Sequence, residues 1–170
     1  MDKNKIKITI GILIIIMGVF AFMNRELVKE KGYAHENAQL IVKDGEVEVV
    51  LDHEDIKSLG ELDFPAILDT STTDPEEQIY TGVPLKKIIE KAGFSLVDKE
   101  MVIVRGIDGY TVAVSRDETI DEENALLAYA VNGKALRPKN QGGSGPYQLI
   151  VRKDQFSQRW CKYVVEIEVR

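Results

Sequence analysis

The chain has 170 residues and a formal net charge of -6, with 44% hydrophobic and 29% charged residues. This composition is typical of a folded protein, and the length fits one domain with a real core. An acidic chain argues against a nucleic-acid partner, because affinity for nucleic acids comes mainly from neutralising phosphates. Cys161 is the single cysteine, and the histidines are His35 and His53. An internal disulfide and a multi-cysteine metal site are therefore excluded, and a zinc site is poorly supported.

The N-terminus carries an apolar run. Residues 8–23 contain no charge, and three lysines lie among the seven residues before them. This pattern predicts a membrane-spanning helix whose positive end stays in the cytoplasm, although a full span usually needs about 20 residues. We interpret residues 1–23 as a signal anchor that contacts the membrane through residues 8–23, with the following domain extracytoplasmic in a single-pass cell-membrane protein. Cleavage after Ala21, which would release a secreted protein, is the alternative.

A polar segment at residues 24–37 is interpreted as a stalk, and residues 38–170 as the folded domain. The domain opens with alternating apolar residues over 39–42 and 46–51, on either side of an Asp44-Gly45 turn signal. This arrangement predicts a β-hairpin.

Asp52 is placed to cap a short helix that ends at Gly60. Residues 62–70 are predicted to form a strand, and Pro65 marks it as an edge strand or a strand entry. Residues 71–78 have the composition of a loop.

Apolar residues at helical spacing predict a helix that begins near Leu85 and ends at Gly93. Strands are predicted over 101–104 and 110–114, with a turn between them. Residues 121–130 begin acidic and become apolar, which we interpret as a helix.

Residues 136–147 form a loop rich in glycine and proline, and its length suggests a purpose. Strands are predicted over 148–151 and 163–169. Many short strands with three short helices indicate the α+β class.

Three groups of motifs carry a resemblance over residues 39–170. They are YTGVPLKKIIEKAG (80–93), RGIDGYTVAV with NALLAYAVNGKAL (105–114 and 124–136), and GGSGPYQLIV with RWCKYVVEIEV (142–151 and 159–169). In this order they resemble the sulfite-oxidase-type oxidoreductase molybdopterin-binding domain family. The resemblance implies a fold of mixed β-sheets or a barrel with a few short helices, here preceded by the N-terminal transmembrane helix. It also implies molybdopterin or another pterin as a possible cofactor.

The sequence departs from this family at the position of the metal ligand. Catalytic members ligate molybdenum through a cysteine upstream of the Tyr-x-Gly-Val motif, and residues 65–78 here contain none. Oxygen ligands from Asp69, Thr70 or Ser71 would change the electronic properties of the metal. Cys161 is interpreted as a small buried hydrophobic residue. We therefore assign no catalytic and no metal-binding residue, and the departure argues against molybdenum.

The family resemblance implies a cofactor cleft. The candidate lining residues are Asp108, Tyr110, Arg137, Lys139, Asn140, Gly142, Gly143 and Arg159. The glycines would let a ligand approach backbone N–H groups, and the loop cations would attract a phosphate or carboxylate. Gln148 stands where the family often carries arginine, which removes one such charge. A purely structural role for the turn at Asp108-Gly109 and for the glycines is the alternative.

The leading hypothesis is a membrane-tethered extracytoplasmic binding module of the sulfite-oxidase fold. It would bind a pterin-like ligand, another small ligand or a protein partner, without molybdenum redox catalysis. The alternative is a molybdenum-cofactor oxidoreductase with an altered metal ligand, or a subunit that passes electrons to a membrane redox partner. A purely structural or interaction role is a third possibility.

Overall fold

The computed structural model describes residues 11–19, 38–70 and 73–170. The chain divides into two units, Met1–Tyr33 and Ala34–Arg170. In the first unit residues 11–19 are helical, and their large apolar side chains are exposed. No helix within the described ranges is both long enough and apolar enough to span a membrane. The predicted span over residues 8–23 lies partly outside the described residues, and the predicted stalk at residues 24–37 lies entirely outside them.

The second unit contains ten strands and three short α-helices in the part of the chain that the structure describes. The strands are β1 (Leu40–Asp44), β2 (Val47–Leu51), β3 (Leu62–Thr70), β4 (Thr73–Pro84), β5 (Met101–Gly106), β6 (Thr111–Ser115), β7 (Ala125–Val131), β8 (Lys134–Ala135), β9 (Gln148–Val151) and β10 (Val164–Val169). The helices are α1 (His53–Lys57), α2 (Leu85–Lys91) and α3 (Arg116–Ile120). Single 3-10 turns lie at Lys139–Gln141 and Ser157–Arg159.

The first sheet has the strand order β2-β1-β10-β5-β6. β1 and β10 pair in parallel, and the other neighbours are antiparallel. The C-terminal strand β10 therefore lies at the centre of this sheet, next to the first strand of the domain. Two distant parts of the sequence must come together before this sheet is complete.

The second sheet has the order β3-β4-β7-β8, and β9 pairs with the same edge of β7 as β8. Gly82 lies at a register shift between β4 and β7. A Cβ atom at this position would lie 2.3 Å from the Leu127 carbonyl oxygen. The glycine of the Tyr-x-Gly-Val motif is thus required by the close approach of two strands.

Hydrogen bonds around β9 connect the two sheets. The Leu149 N–H donates to the Cys161 carbonyl at 2.8 Å, and the Val164 N–H donates to the Tyr147 carbonyl at 2.9 Å. The segment after β9 also bonds β3. Arg152 Nε donates to the Pro65 carbonyl at 3.1 Å, and the Asp69 N–H donates to Ser157 Oγ at 2.9 Å. These bonds curl the second sheet into a half-barrel.

The core of the second unit contains a small aromatic cluster. Phe64 stacks on Tyr80 with ring centroids 6.1 Å apart, and Tyr80 meets Trp160 edge-on at 5.7 Å. Trp160 Nε1 donates to the Val151 carbonyl at 3.1 Å. Because the indole N–H is satisfied by backbone, the large ring is buried without a polar penalty.

Most of the predicted local elements are confirmed. The β1–β2 hairpin turns at Gly45, and Asp52 with Asp55 forms a capping box at α1. α2 begins at Leu85 after Pro84, as expected from the apolar spacing. The α+β assignment and the mixed sheets with short helices are also confirmed.

Two predictions are wrong. Residues 121–130, predicted as a helix, contain strand β7, and the acidic helix is α3, which lies just before them. The first five residues of β7 are all buried between β4 and β9, and a short buried run does not reveal its period. Residues 73–78, predicted as a loop, belong to β4, because pairing with β3 outweighs their polar composition.

Candidate functional site

A cleft of about 200 Å³ opens between the second sheet and the Gly-rich loop, which we define as residues 136–147. Gln78 and Tyr80 lie two residues apart on β4 and so face the cleft from one side of that strand. The lining residues are Leu68, Gln78, Tyr80, Val131, Leu136, Gly142, Gly143, Ser144, Gln148 and Lys162. No aspartate or glutamate is among them.

Gly142 and Gly143 are the two predicted site residues that line this cleft. Their N–H groups are already used, because Gly142 donates to the Lys139 carbonyl at 3.0 Å and Gly143 to the Pro138 carbonyl at 3.2 Å. A Cβ atom on Gly143 would lie 1.9 Å from the Arg137 carbonyl oxygen. The loop folds back on itself at this point, so the expectation of free backbone donors for a ligand is corrected.

Arg137, Lys139 and Asn140 lie on the same loop with exposed side chains. Neither cation forms an ion pair with a carboxylate of the described residues, and Lys139 Nζ lies 5.2 Å from the centre of the Tyr163 ring. The loop therefore carries free positive charge near the cleft. Whether these side chains bind a cofactor stays a prediction.

Asp108 and Tyr110 form a turn outside the cleft lining. Asp108 Oδ1 accepts the Tyr110 N–H at 3.1 Å, and the Tyr110 hydroxyl donates to the Gln158 carbonyl at 2.6 Å. Both polar groups have local partners, which agrees with the structural alternative for this turn.

Arg159 also lies outside the lining, and its guanidinium pairs with two carboxylates. Its guanidinium donates to Glu118 Oε1 at 2.7 Å and forms a second ion pair with Asp154. Hydrogen bonds from Arg159 lower the pKa of Glu118 to about 2. This arginine joins α3 to the segment after β9 and is not a free anion-binding group.

Cys161 is fully buried, and its Sγ donates to the Tyr110 carbonyl at 3.7 Å. Burial, with a smaller contribution from the Asp108 charge, raises the pKa of this thiol to about 12. The thiol is absent from the cleft lining. Within the described ranges, no group of three or more His, Cys, Asp and Glu side chains is arranged to hold a metal ion.

Five polar residues of the cleft lie outside the set predicted from the sequence, and they are Gln78, Tyr80, Ser144, Gln148 and Lys162. The Tyr80 hydroxyl donates to Gln78 Oε1 at 2.9 Å, and burial raises the pKa of Tyr80 to about 12. Gln148 is the one of the five with a signal in the sequence, because it stands where the family often carries arginine and is a polar residue at the start of the apolar strand QLIV.

Residues 46–170 match the family described as the oxidoreductase molybdopterin binding domain. The chain belongs to this family. No curated protein matches the sequence. Among solved structures, the sulfane dehydrogenase SoxCD from Paracoccus pantotrophus is similar, with a TM-score of 0.66 and 19% sequence identity. The similarity covers 79% of this chain and 38% of that chain, so it supports the fold, and this chain spans less than half of SoxCD's length.

The residues of this family member do not fit a thiolate-ligated molybdenum. The metal of a catalytic member needs a deprotonated cysteine at the cofactor cleft, whereas Cys161 lies elsewhere, fully buried and with its pKa raised. The oxygen donors Asp69 and Thr70 lie in a separate pocket with Phe156 and Gln158. The residues that line the cleft carry amide, hydroxyl and ammonium side chains, which bind organic or anionic ligands.

Proposed function

We propose that this domain is a membrane-tethered extracytoplasmic binding module that holds a small ligand in the cleft without molybdenum redox catalysis. The chemistry of the cleft lining carries the proposal, because the lining offers hydrogen-bond donors and one cation but no thiol and no carboxylate. Family membership supports ligand binding as the inherited role. A pterin-like compound, another small ligand or a protein partner would each be compatible with such a module.

The tether is supported by the apolar run at residues 8–23 and by the exposed apolar side chains of the helical residues 11–19. An apolar helical surface of this kind is stabilised by lipid or by another protein. The proposal places the domain outside the cytoplasm on a single-pass anchor, and cleavage after Ala21 would release it instead. Alkaline extraction of membranes from the native host tests this, since an anchored chain stays in the pellet.

Family membership also favours the second candidate, a molybdenum-cofactor oxidoreductase with an altered ligand or an electron-transferring subunit. That candidate needs a metal ligand other than a cleft cysteine. Asp69 and Thr70, two of the oxygen donors that the sequence offered as replacement ligands, lie outside the cleft lining. This placement makes it the weaker of the two proposals.

Elemental analysis and native mass spectrometry of the full chain, purified from a host that makes molybdenum cofactor, separate the two. The binding module should retain a small molecule and carry no stoichiometric molybdenum. About one molybdenum per chain would overturn it. A Cys161→Ser variant is the matched control. If the parent chain carries molybdenum and this variant does not, the thiol is the ligand.

A further inference from the structure

Gln148 is buried without a hydrogen-bond partner for its side chain. The residue is 3% exposed, and no hydrogen bond joins its amide to any residue that the structure describes. Every described side-chain nitrogen or oxygen that is sealed from solvent does have a partner. The amide of Gln148 is therefore not sealed, and its small exposed area opens into the cleft that it lines.

This position has no structural need for a polar residue. The other three residues of β9 are Leu149, Ile150 and Val151, and all are fully buried. A leucine at position 148 would continue that pattern, whereas the Gln148 amide makes no hydrogen bond with a described residue that would stabilise the fold. A polar residue in an otherwise apolar buried strand, at the wall of a cleft, is typical of a binding site.

The other polar groups of the cleft are mainly donors. The ammonium group of Lys162 forms no ion pair with a carboxylate among residues 38–70 and 73–170. Gln78 uses its Oε1 to accept the Tyr80 hydroxyl, so its NH₂ group remains available as a donor. Ser144 adds a hydroxyl. Because no aspartate or glutamate lines the cleft, its chemistry selects a ligand that accepts hydrogen bonds and carries negative charge.

The rest of the lining is apolar and the space is small. Leu68, Val131 and Leu136 contribute aliphatic side chains, and Tyr80 adds its ring. The volume of about 200 Å³ is below the roughly 300–1,000 Å³ of pockets for drug-sized ligands. The cleft therefore suits a compact ligand with an apolar body and a polar end.

We infer that the cleft binds a small organic monoanion, whose carboxylate is held by the Gln148 amide and the Lys162 ammonium while its apolar body packs against Leu68 and Val131. This inference rests on the proposed function, because it names the ligand class of the same cleft. The Gln148 amide supplies directional N–H donors, and Lys162 supplies the charge at the rim.

Benzoate is a suitable probe, and benzamide is its neutral counterpart of nearly equal shape. Binding of each to the full chain in detergent is measured by calorimetry at neutral pH, with 6-methylpterin as a third ligand. Benzoate should bind at least about tenfold more tightly than benzamide, because a hydrogen bond to a charged group is stronger than a neutral one. Gln148→Leu and Lys162→Gln should each weaken benzoate binding about tenfold or more.

The matched control is Lys57→Gln, which removes an exposed cation from α1, outside the cleft lining. It should leave benzoate affinity unchanged. Gln148→Leu should keep or raise the thermal midpoint of unfolding, since the leucine removes no side-chain hydrogen bond to a described residue and adds apolar surface beside a buried strand. A lowered midpoint with unchanged benzoate affinity would show a purely structural role and overturn the inference.

Three further outcomes are distinct. If 6-methylpterin binds and benzoate does not, the binding module stands and the monoanion inference fails. Equal affinities for benzoate and benzamide would also reject the monoanion. If the full chain binds none of the three and retains no small molecule from its host, the proposed ligand-binding function fails as well.

Discussion

The Tyr147 hydroxyl lies 3.2 Å from Nδ1 of His53, which joins the start of α1 to the chain just before β9. Tyr147 is fully buried, and its ring also lies near that of His53, with centroids 5.9 Å apart. Tyr147→Phe keeps the ring and removes the hydrogen bond. We expect the free energy of unfolding to fall by about 1 kcal/mol, measured by urea denaturation.

The control for this change is Tyr110→Phe. Its hydroxyl also makes one hydrogen bond, to the Gln158 carbonyl, but the residue is exposed and water can replace the partner. Its effect should be smaller than that of Tyr147→Phe. Equal effects would show that burial of the Tyr147 hydroxyl adds nothing.

Alanine substitutions at two adjacent glycines of the Gly-rich loop should lower the free energy of unfolding by different amounts. A methyl group at Gly143 would collide with the Arg137 carbonyl, whereas one at Gly142 would meet open space. Gly143→Ala should lower the free energy of unfolding by about 1–3 kcal/mol through overpacking. Gly142→Ala should cost about 1 kcal/mol, because its φ of +71° disfavours a side chain. A larger loss in the Gly142 variant, measured by the same denaturation, would contradict this account of the loop.

The Arg159–Glu118 pair predicts a dependence of stability on pH. Hydrogen bonds from Arg159 lower the pKa of Glu118 from 4.5 to about 2, so the pair stabilises the fold fully above pH 4.5. This stabilisation is lost as the pH falls from 4.5 towards 2. Both side chains are partly exposed, so Glu118→Gln should cost only about 1–2 kcal/mol at neutral pH. The difference from the parent chain should shrink towards pH 2.

Thermal unfolding as a function of pH measures this effect. Glu77→Gln is the matched control, because Glu77 is exposed and forms no ion pair among residues 38–70 and 73–170. Its midpoint should follow the parent chain at every pH. A Glu118→Gln curve parallel to the parent between pH 2 and pH 7 would rule out the ion pair as the cause.

The thiol of Cys161 should be inert in the native protein. Its burial and raised pKa of about 12 leave almost no thiolate at pH 8. Iodoacetamide should therefore modify the chain only in denaturant, as followed by intact mass. An Asn140→Cys variant, with a thiol at an exposed loop position, should react once in the native state. Rapid native modification at Cys161 would instead indicate an accessible, activated thiol.

Local signals in the sequence were sufficient for the elements that depend on neighbouring residues. Asp52 caps α1, Gly45 turns the first hairpin, and Leu85 opens α2 after a proline, because caps and turns are decided within a few residues. The motif order over residues 39–170 also indicated the family, and the match over residues 46–170 confirms it. The absence of a cysteine between residues 65 and 78 was likewise readable from sequence alone.

Tertiary contacts decided the rest. β7 is a strand because β4 and β9 pair with its two edges, and a short run of buried apolar residues fits a helix equally well until those partners are known. The cleft brings Gln78, Gln148 and Lys162 together from positions up to 84 residues apart. No local sequence pattern indicates that residues so far apart in the chain line the same cleft. The sequence by itself thus determined the family and the missing thiolate, and only the tertiary structure decided which amide and ammonium groups face the cleft.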